Sequence, residues 1–218
     1  MEDPRSPVQH IIIFTWPSRS PAIPYQYFDD KKDAIRSGEA FARAFEKVIH
    51  FFKEFLLNAG NEPCNRNIHF MVHSMGNRVV KHMMLELKNK RIPFPEVFTE
   101  ILLMASDIEY DIFEPNEAFT ALIDLGKRVH VYFHHNDKVL DISKYTKNFS
   151  NRLGRYGRKK IDPTWIDVID TDVTNLKSDL GNLKSRLMNH WYYHTSSEVV
   201  NDIINVLNGN KSAYEVEK

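Results

Sequence analysis

The sequence has little cysteine, no long hydrophobic run and no excess of charge of either sign. One cysteine, Cys64, stands among 218 residues, which excludes an internal disulfide and leads us to expect a reducing, cytoplasmic location. The apolar runs fall far short of the ~20 residues that span a bilayer, and no secretion signal precedes them. Basic and acidic side chains number 29 each, so nothing in the net charge points to nucleic acid or a membrane surface.

Short apolar runs alternate with helical patterns along most of the chain. The runs predict strands at residues 10–16, 68–72, 98–105, 128–133 and 165–169. Helical spacing predicts helices at residues 30–58, directly after residue 74, at 116–125 and at 196–207. This alternation is typical of an α/β fold with a mostly parallel sheet of about five strands and helices on both faces. We expect one domain over residues 10–208, a disordered or extended N-terminus (1–9) and a flexible C-terminus (209–218).

Residues 141–160 interrupt this alternation because they are rich in basic side chains and poor in apolar ones. The basic residues are Lys144, Lys147, Arg152, Arg155, Arg158, Lys159 and Lys160. We interpret the segment as a solvated loop between two strands. A flap beside the active site, whose charge attracts an anionic substrate, is the alternative.

Ser74 lies where the predicted strand at 68–72 gives way to a helix, in the segment Val72-His73-Ser74-Met75-Gly76. At such a corner the serine hydroxyl is exposed and the next backbone N–H, that of Met75, points towards a developing oxyanion. Gly76 fits a point where turn and helix pack too closely for a side chain. The elbow pattern G-x-S-x-G lacks its first glycine here, and a helix-capping serine is the alternative interpretation.

A serine nucleophile needs a carboxylate and a histidine at the same edge of the sheet. Asp137 follows the strand predicted at 128–133 and is the preferred acid. Asp107, after the preceding strand, is the alternative acid, and Asp141 is less favoured. In α/β-hydrolases the chain order is serine, acid, histidine.

Two histidines follow the last predicted strand and keep that order. His190 lies in a loop before three aromatic residues and is the preferred base. His194 is the alternative base, although its position beside a helix-capping sequence favours a structural role. We expect His73 to pack or hydrogen-bond structurally.

We predict neither a cofactor nor a metal. His134 and His135 are candidates for the mouth of the site, but two adjacent loop histidines seldom share one ion. Cys64 has no histidine nearby and is interpreted as a bystander.

Six motifs make the chain resemble the α/β-hydrolase fold family, in a little-characterised, esterase- or lipase-like branch known as a domain of unknown function. They are Phe14–Ser18, His73–Gly76, Ser106–Phe113, Asp137–Leu140, Arg152–Gly154 and His190–Tyr192, and they span about residues 10–207 in order. The resemblance implies a serine hydrolase with Ser74, Asp137 and His190 as its catalytic triad, in agreement with the chain order.

In that family an earlier strand ends in a His-Gly motif, and the loop after it donates the second oxyanion-hole amide. Nine residues precede the first strand predicted here, so we expect an N-terminally truncated sheet and Met75 as the remaining oxyanion donor. An exposed sheet edge of this kind favours a homo-oligomer. Two hypotheses follow: a serine hydrolase acting on a small ester or acyl substrate, or a non-catalytic hydrolase-fold protein that binds or interacts.

Overall fold

The fold was analysed in a computed structural model. It describes residues 5–18, 24–58, 67–92, 95–141, 150–159, 167–179 and 189–216. None of the helices in these ranges is long and apolar enough to cross a membrane.

A four-stranded parallel sheet is the centre of the described structure. Its strands are β1 (His69–His73), β2 (Phe98–Met104), β3 (Gly126–Phe133) and β4 (Val168–Asp172), and they lie side by side in that order. In the register, His73 is opposite Met104 and Tyr132 is opposite Thr171. Because every strand runs in the same direction, all four carboxyl ends lie at one edge of the sheet.

Helices accompany the sheet, and five of them are used in the description that follows. They are α1 (Pro24–Asn58), α2 (Gly76–Asn89), α3 (Leu153–Tyr156), α4 (Tyr192–Thr195) and α5 (Ser197–Leu207). Side chains along β2 alternate between two apolar clusters: Ile101 and Leu103 lie in the cluster with α1 and α2, whereas Leu102 and Met104 lie in the cluster with α5. Since successive side chains of a strand point to opposite faces, helices cover both faces. The predicted α/β class is therefore confirmed.

The strand predicted at residues 10–16 is wrong. This segment has no regular structure, and Ile11, Ile12 and Ile13 are 77%, 98% and 77% exposed. A strand needs a neighbouring backbone to pair with, and no strand of the described residues pairs with this run. Phe14 of this run stacks on Phe41 of α1, with ring centroids 4.2 Å apart. The sheet therefore has four described strands where about five were predicted.

Two other predicted elements differ in position or type. The last strand is Val168–Asp172 where 165–169 was predicted, and the helix predicted at 116–125 is two 3₁₀ segments, Ala118–Thr120 and Ile123–Leu125. The buried side chains Phe119, Leu122 and Leu125 recur every three residues, which is the period of a 3₁₀ helix.

The basic segment at 141–160 is not the solvated loop that was predicted, as far as it is described. Lys144, Lys147 and Lys160 lie outside the described residues, but Arg152 and Arg158 are buried. Arg158 donates to Asp170 of β4 at 2.8 Å, so its charge is neutralised inside the protein. Composition alone indicated solvent exposure because the acidic partners lie elsewhere in the sequence.

The C-terminal segment is also better ordered than the prediction of a flexible tail. The buried carboxylate of Asp202 accepts hydrogen bonds from the Ser212 hydroxyl at 2.8 Å and the Ala213 N–H at 2.7 Å. Beyond them Glu215 forms an antiparallel bridge with Thr171 of β4. Residues 212–216 are therefore tied to the sheet through backbone and side-chain hydrogen bonds.

Candidate active site

Ser74 occupies the sharp corner between β1 and α2. Its φ of 51° lies in the left-handed region that residues other than glycine seldom adopt, at a cost of roughly 1–3 kcal/mol. Backbone hydrogen bonds hold this conformation: the Ser74 N–H donates to Met104 O at 2.9 Å, and Ser74 O accepts from Asp107 N at 3.2 Å. The side-chain amide of Asn77 donates to the same carbonyl at 3.1 Å.

The alternative interpretation of Ser74 as a helix cap does not describe this corner. Met75 is the N-cap residue of α2, and no side chain caps that helix end. The Ser74 hydroxyl hydrogen-bonds His190. The expected close packing at Gly76 is wrong, because a Cβ there would lie 3.5 Å from Val72 Cγ1, an ordinary contact distance.

The structure brings Ser74, His190 and Asp137 together. His190 Nε2 lies 2.8 Å from Ser74 Oγ, and His190 Nδ1 lies 2.7 Å from Asp137 Oδ2. Because a carboxylate accepts, Nδ1–H donates to Asp137, and Nε2 is left to accept the serine proton. Ser74 follows β1, Asp137 follows β3 and His190 lies in the loop before α4.

Asp137 is fully buried and its second oxygen is occupied as well. Oδ1 accepts the Leu140 N–H at 3.0 Å, which fixes the carboxylate plane while Oδ2 faces the imidazole. Burial raises the pKa of Asp137 above its usual range, although the hydrogen bond and charge of His190 act in the opposite direction. Removal of water makes the interaction between Asp137 and His190 stronger than at a surface.

The side chain of His73 helps to hold the His190 loop in place. His73 Nε2–H donates to the His190 carbonyl at 3.2 Å, and the two rings are 4.9 Å apart. Burial, followed by repulsion from His190, lowers the pKa of His73 to about 3, so this ring is neutral near pH 7. The expected structural role of His73 is confirmed.

Tyr192 anchors the same loop to two strands. Its hydroxyl accepts the Ala105 N–H at 2.7 Å and donates to the Tyr132 carbonyl at 2.9 Å. Both backbone groups lie at the carboxyl edge of the sheet, so the residue two positions after His190 is fixed against the ends of β2 and β3. The sequence shows three aromatic residues after His190, but it does not reveal that the Tyr192 hydroxyl bonds two strand ends. A buried tyrosine hydroxyl usually finds a hydrogen-bond partner, which is the one general signal available.

The two alternative acids and the alternative base contact other residues. Asp107 is buried and its Oδ1 lies 3.4 Å from Arg152 Nε, while its backbone N–H bonds Ser74 O. Asp141 is ion-paired with Arg155. His194 is exposed on α4 and its ring contacts Tyr193. The hydrogen bonds of the His190 ring run instead to Ser74 Oγ and to Asp137.

Met75 follows Ser74 with helical backbone angles, and its N–H donates to no backbone carbonyl among the described residues. This amide is thus available at the corner beside the serine hydroxyl.

The histidines after β3 are engaged within the protein. His134 is buried and its Nδ1 accepts the Asn136 N–H at 3.1 Å, while the exposed His135 lies 3.8 Å from Asp172. Burial lowers the pKa of His134 to about 4. Within the described ranges, no three histidine, cysteine or acidic side chains are arranged to hold a metal.

The sequence matches the family described as alpha/beta hydrolase of unknown function (DUF900) over residues 2–208, which is most of the chain. No curated protein and no solved structure matches it.

Proposed function

The chain belongs to the alpha/beta hydrolase family of unknown function, and from this premise we propose that it is a serine hydrolase of carboxylic esters or related acyl compounds. The observation that supports the proposal is the continuous hydrogen-bond chain from Asp137 through His190 to Ser74, with links of 2.7 and 2.8 Å. Distances of this kind are those required for a serine to lose its proton to an imidazole.

In the proposed acylation step, Ser74 Oγ attacks the ester carbonyl carbon while its proton moves to His190 Nε2. The Met75 N–H stabilises the resulting oxyanion, and Asp137 stabilises the imidazolium. The tetrahedral intermediate collapses, the bond to the alkoxy oxygen breaks, and His190 returns the proton to the departing alcohol. The acyl group is then joined to Ser74 Oγ.

Deacylation repeats these steps with water as the nucleophile. His190 takes one proton from water as its oxygen attacks the acyl carbon, and the bond to Ser74 Oγ then breaks. The carboxylic acid leaves and the proton returns from His190 to the serine oxygen.

Labelling with a fluorophosphonate probe and turnover of p-nitrophenyl esters test the proposal. We expect wild-type protein to be labelled at Ser74, and Ser74→Ala to lose labelling and on the order of a thousandfold or more of kcat/KM. The exposed Ser197→Ala is the matched control and keeps both activities. Folded wild-type protein without labelling and without turnover would contradict the proposal.

A second function, binding without catalysis, has one observation in its favour. Met75 is the single oxyanion donor that we identify in the described residues, and loss of a second donor costs about 3 kcal/mol in comparable sites. On this hypothesis the protein retains the Ser74 geometry but hydrolyses p-nitrophenyl esters no faster than the Ser74→Ala variant.

A further inference from the structure

A cluster of charged side chains lies beside Ser74 at the carboxyl edge of the sheet. We call it the basic cluster, and it consists of Lys31 of α1, Arg78 and Lys81 of α2, Asp107 and Glu109 after β2, and Arg152 before α3. Four segments that are distant in the sequence thus contribute to one group of charges.

Most of the cluster is joined by direct contacts. Arg78 donates to the Asp107 carbonyl at 3.1 Å and lies 3.8 Å from Glu109. Lys81 Nζ is 3.0 Å from the other oxygen of Glu109. Arg152 is 3.4 Å from Asp107 and 3.5 Å from Glu109.

The cluster is connected to Ser74 through Asp107 and α2. The Asp107 N–H donates to Ser74 O at 3.2 Å, and the Asp107 carbonyl accepts a hydrogen bond from the Arg78 guanidinium. Arg78 itself lies on α2, one helical turn after Ser74. The cluster therefore adjoins the backbone that holds Ser74 in place.

Counted over the described residues, the charges in the cluster do not cancel. The cluster has four cations and two carboxylates, an excess of two positive charges. If the buried carboxylate of Asp30, next to Lys31, is counted as a third acid, one positive charge remains in excess. Burial lowers the pKa of Lys31, with further repulsion from Arg78 and Arg152. Burial alone would raise the pKa of Glu109, but Arg78 and Lys81 outweigh it and lower that pKa to about 2.

Part of the cluster faces solvent and part does not. The side chains of Lys81 and Glu109 are each 20% exposed and Lys31 is half-buried, whereas Arg78 and Arg152 are buried. Arg78 Nε is buried with no hydrogen-bond partner in the described structure. Like charges buried together are costly, so an unbalanced cluster favours an anionic ligand over a purely structural ion network.

We propose that the basic cluster binds an oxyanion of the substrate, so that the preferred ester carries a carboxylate or phosphate group at one end. Lys31 and Lys81 contact the anion directly, and the buried Arg78 and Arg152 act through their charge. This inference rests on the proposed function for the identity of the reacting centre, but the binding of an anion is testable without it.

Matched esters of equal chain length test the substrate preference. p-Nitrophenyl hydrogen adipate carries a terminal carboxylate, and p-nitrophenyl hexanoate is its neutral counterpart. We expect kcat/KM to be higher for the adipate ester than for the hexanoate ester. The ratio of the two kcat/KM values is expected to fall about three- to tenfold in Lys31→Gln. Lys32→Gln removes an exposed charge from the next position of α1 and is expected to keep the wild-type ratio.

Direct binding of adipate, measured by calorimetry, separates this inference from the proposed function. If neither ester is hydrolysed but adipate binds and Lys31→Gln weakens that binding, the anion site stands and the hydrolase proposal falls. If hexanoate is hydrolysed in a Ser74-dependent manner while Lys31→Gln leaves the ratio unchanged, the hydrolase stands and the anion site is overturned. Absence of both adipate binding and ester preference also overturns it.

Discussion

At the scale of single residues, the hydroxyl of Tyr192 connects three parts of the candidate site. It accepts the Ala105 N–H and donates to the Tyr132 carbonyl, and its side chain leaves the chain two positions after His190. A buried backbone N–H without an acceptor costs about 1–3 kcal/mol, so the Tyr192 hydroxyl stabilises the fold by satisfying the Ala105 N–H. Tyr192 is in this sense a positioning residue for His190.

Tyr192→Phe keeps the ring but removes the oxygen. We expect the free energy of unfolding to fall by about 1–3 kcal/mol, because Ala105 N–H and Tyr132 C=O both lose their partner. Urea unfolding measures this change. Tyr193→Phe, on the neighbouring half-buried tyrosine, is the control and is expected to change stability by less than about 0.5 kcal/mol. Equal stabilities for the two variants would refute the anchoring role.

At the scale of elements, the segment around α3 joins the loops that follow β2 and β3. The Leu153 N–H donates to Ile108 O at 2.9 Å, and the Gly154 N–H donates to Ser106 O at 3.0 Å. In turn Gly154 O accepts the His134 N–H at 3.0 Å. The loop leading to Asp137 is thereby tied to the loop beside Ser74 through the R-L-G motif.

Gly154 is required by this close approach rather than by its backbone angles. A Cβ at this position would lie 2.1 Å from Ser106 N and 2.2 Å from Ala105 C, and neither backbone atom can move aside cheaply. We expect Gly154→Ala to destabilise the protein by about 3 kcal/mol or more. Thermal unfolding measures it.

Gly76→Ala is the matched control, because its new Cβ would lie at an ordinary contact distance from Val72. Alanine also has a higher helix propensity than glycine. We expect its free energy of unfolding to lie within about 1 kcal/mol of wild type. A Gly154→Ala variant as stable as Gly76→Ala would show that the two loops are not in fixed contact.

At the scale of the whole molecule, features set by local pattern were predictable and features set by distant partners were not. The corner at Ser74 could be predicted because an apolar run and a helical period meet there. Chain order singled out Asp137 and His190, which the structure places within hydrogen-bond distance. The run at 10–16 has the pattern of a buried strand, but pairing depends on a neighbour that local pattern cannot supply. Likewise the burial of Arg152 depends on acidic residues more than 40 positions earlier in the chain.

Two histidines with lowered pKa values lead us to expect that the fold is sensitive to acid. The pKa of His134 is lowered to about 4, first by burial, and that of His73 is lowered to about 3 for the same leading reason. Each ring has an ordinary pKa of 6.5 in the unfolded chain, so below pH 6.5 the unfolded state binds protons that the folded state does not. The stability contributed by these neutral rings is therefore present above pH 6.5. It is lost as pH falls towards 4 and 3.

We expect stability to fall between pH 6.5 and 5 by at most about 1.4 kcal/mol per pH unit for each such histidine. His134→Asn tests the assignment, since its side-chain oxygen replaces Nδ1 as acceptor for the Asn136 N–H. Urea unfolding at several pH values above 5 avoids the range in which Glu109, with a pKa of about 2, takes up protons on unfolding. The variant should show a flatter slope than wild type, with His135→Asn at the exposed neighbouring position as the matched control. A slope identical to that of wild type would mean that the neutral His134 ring contributes nothing to the pH dependence of folding.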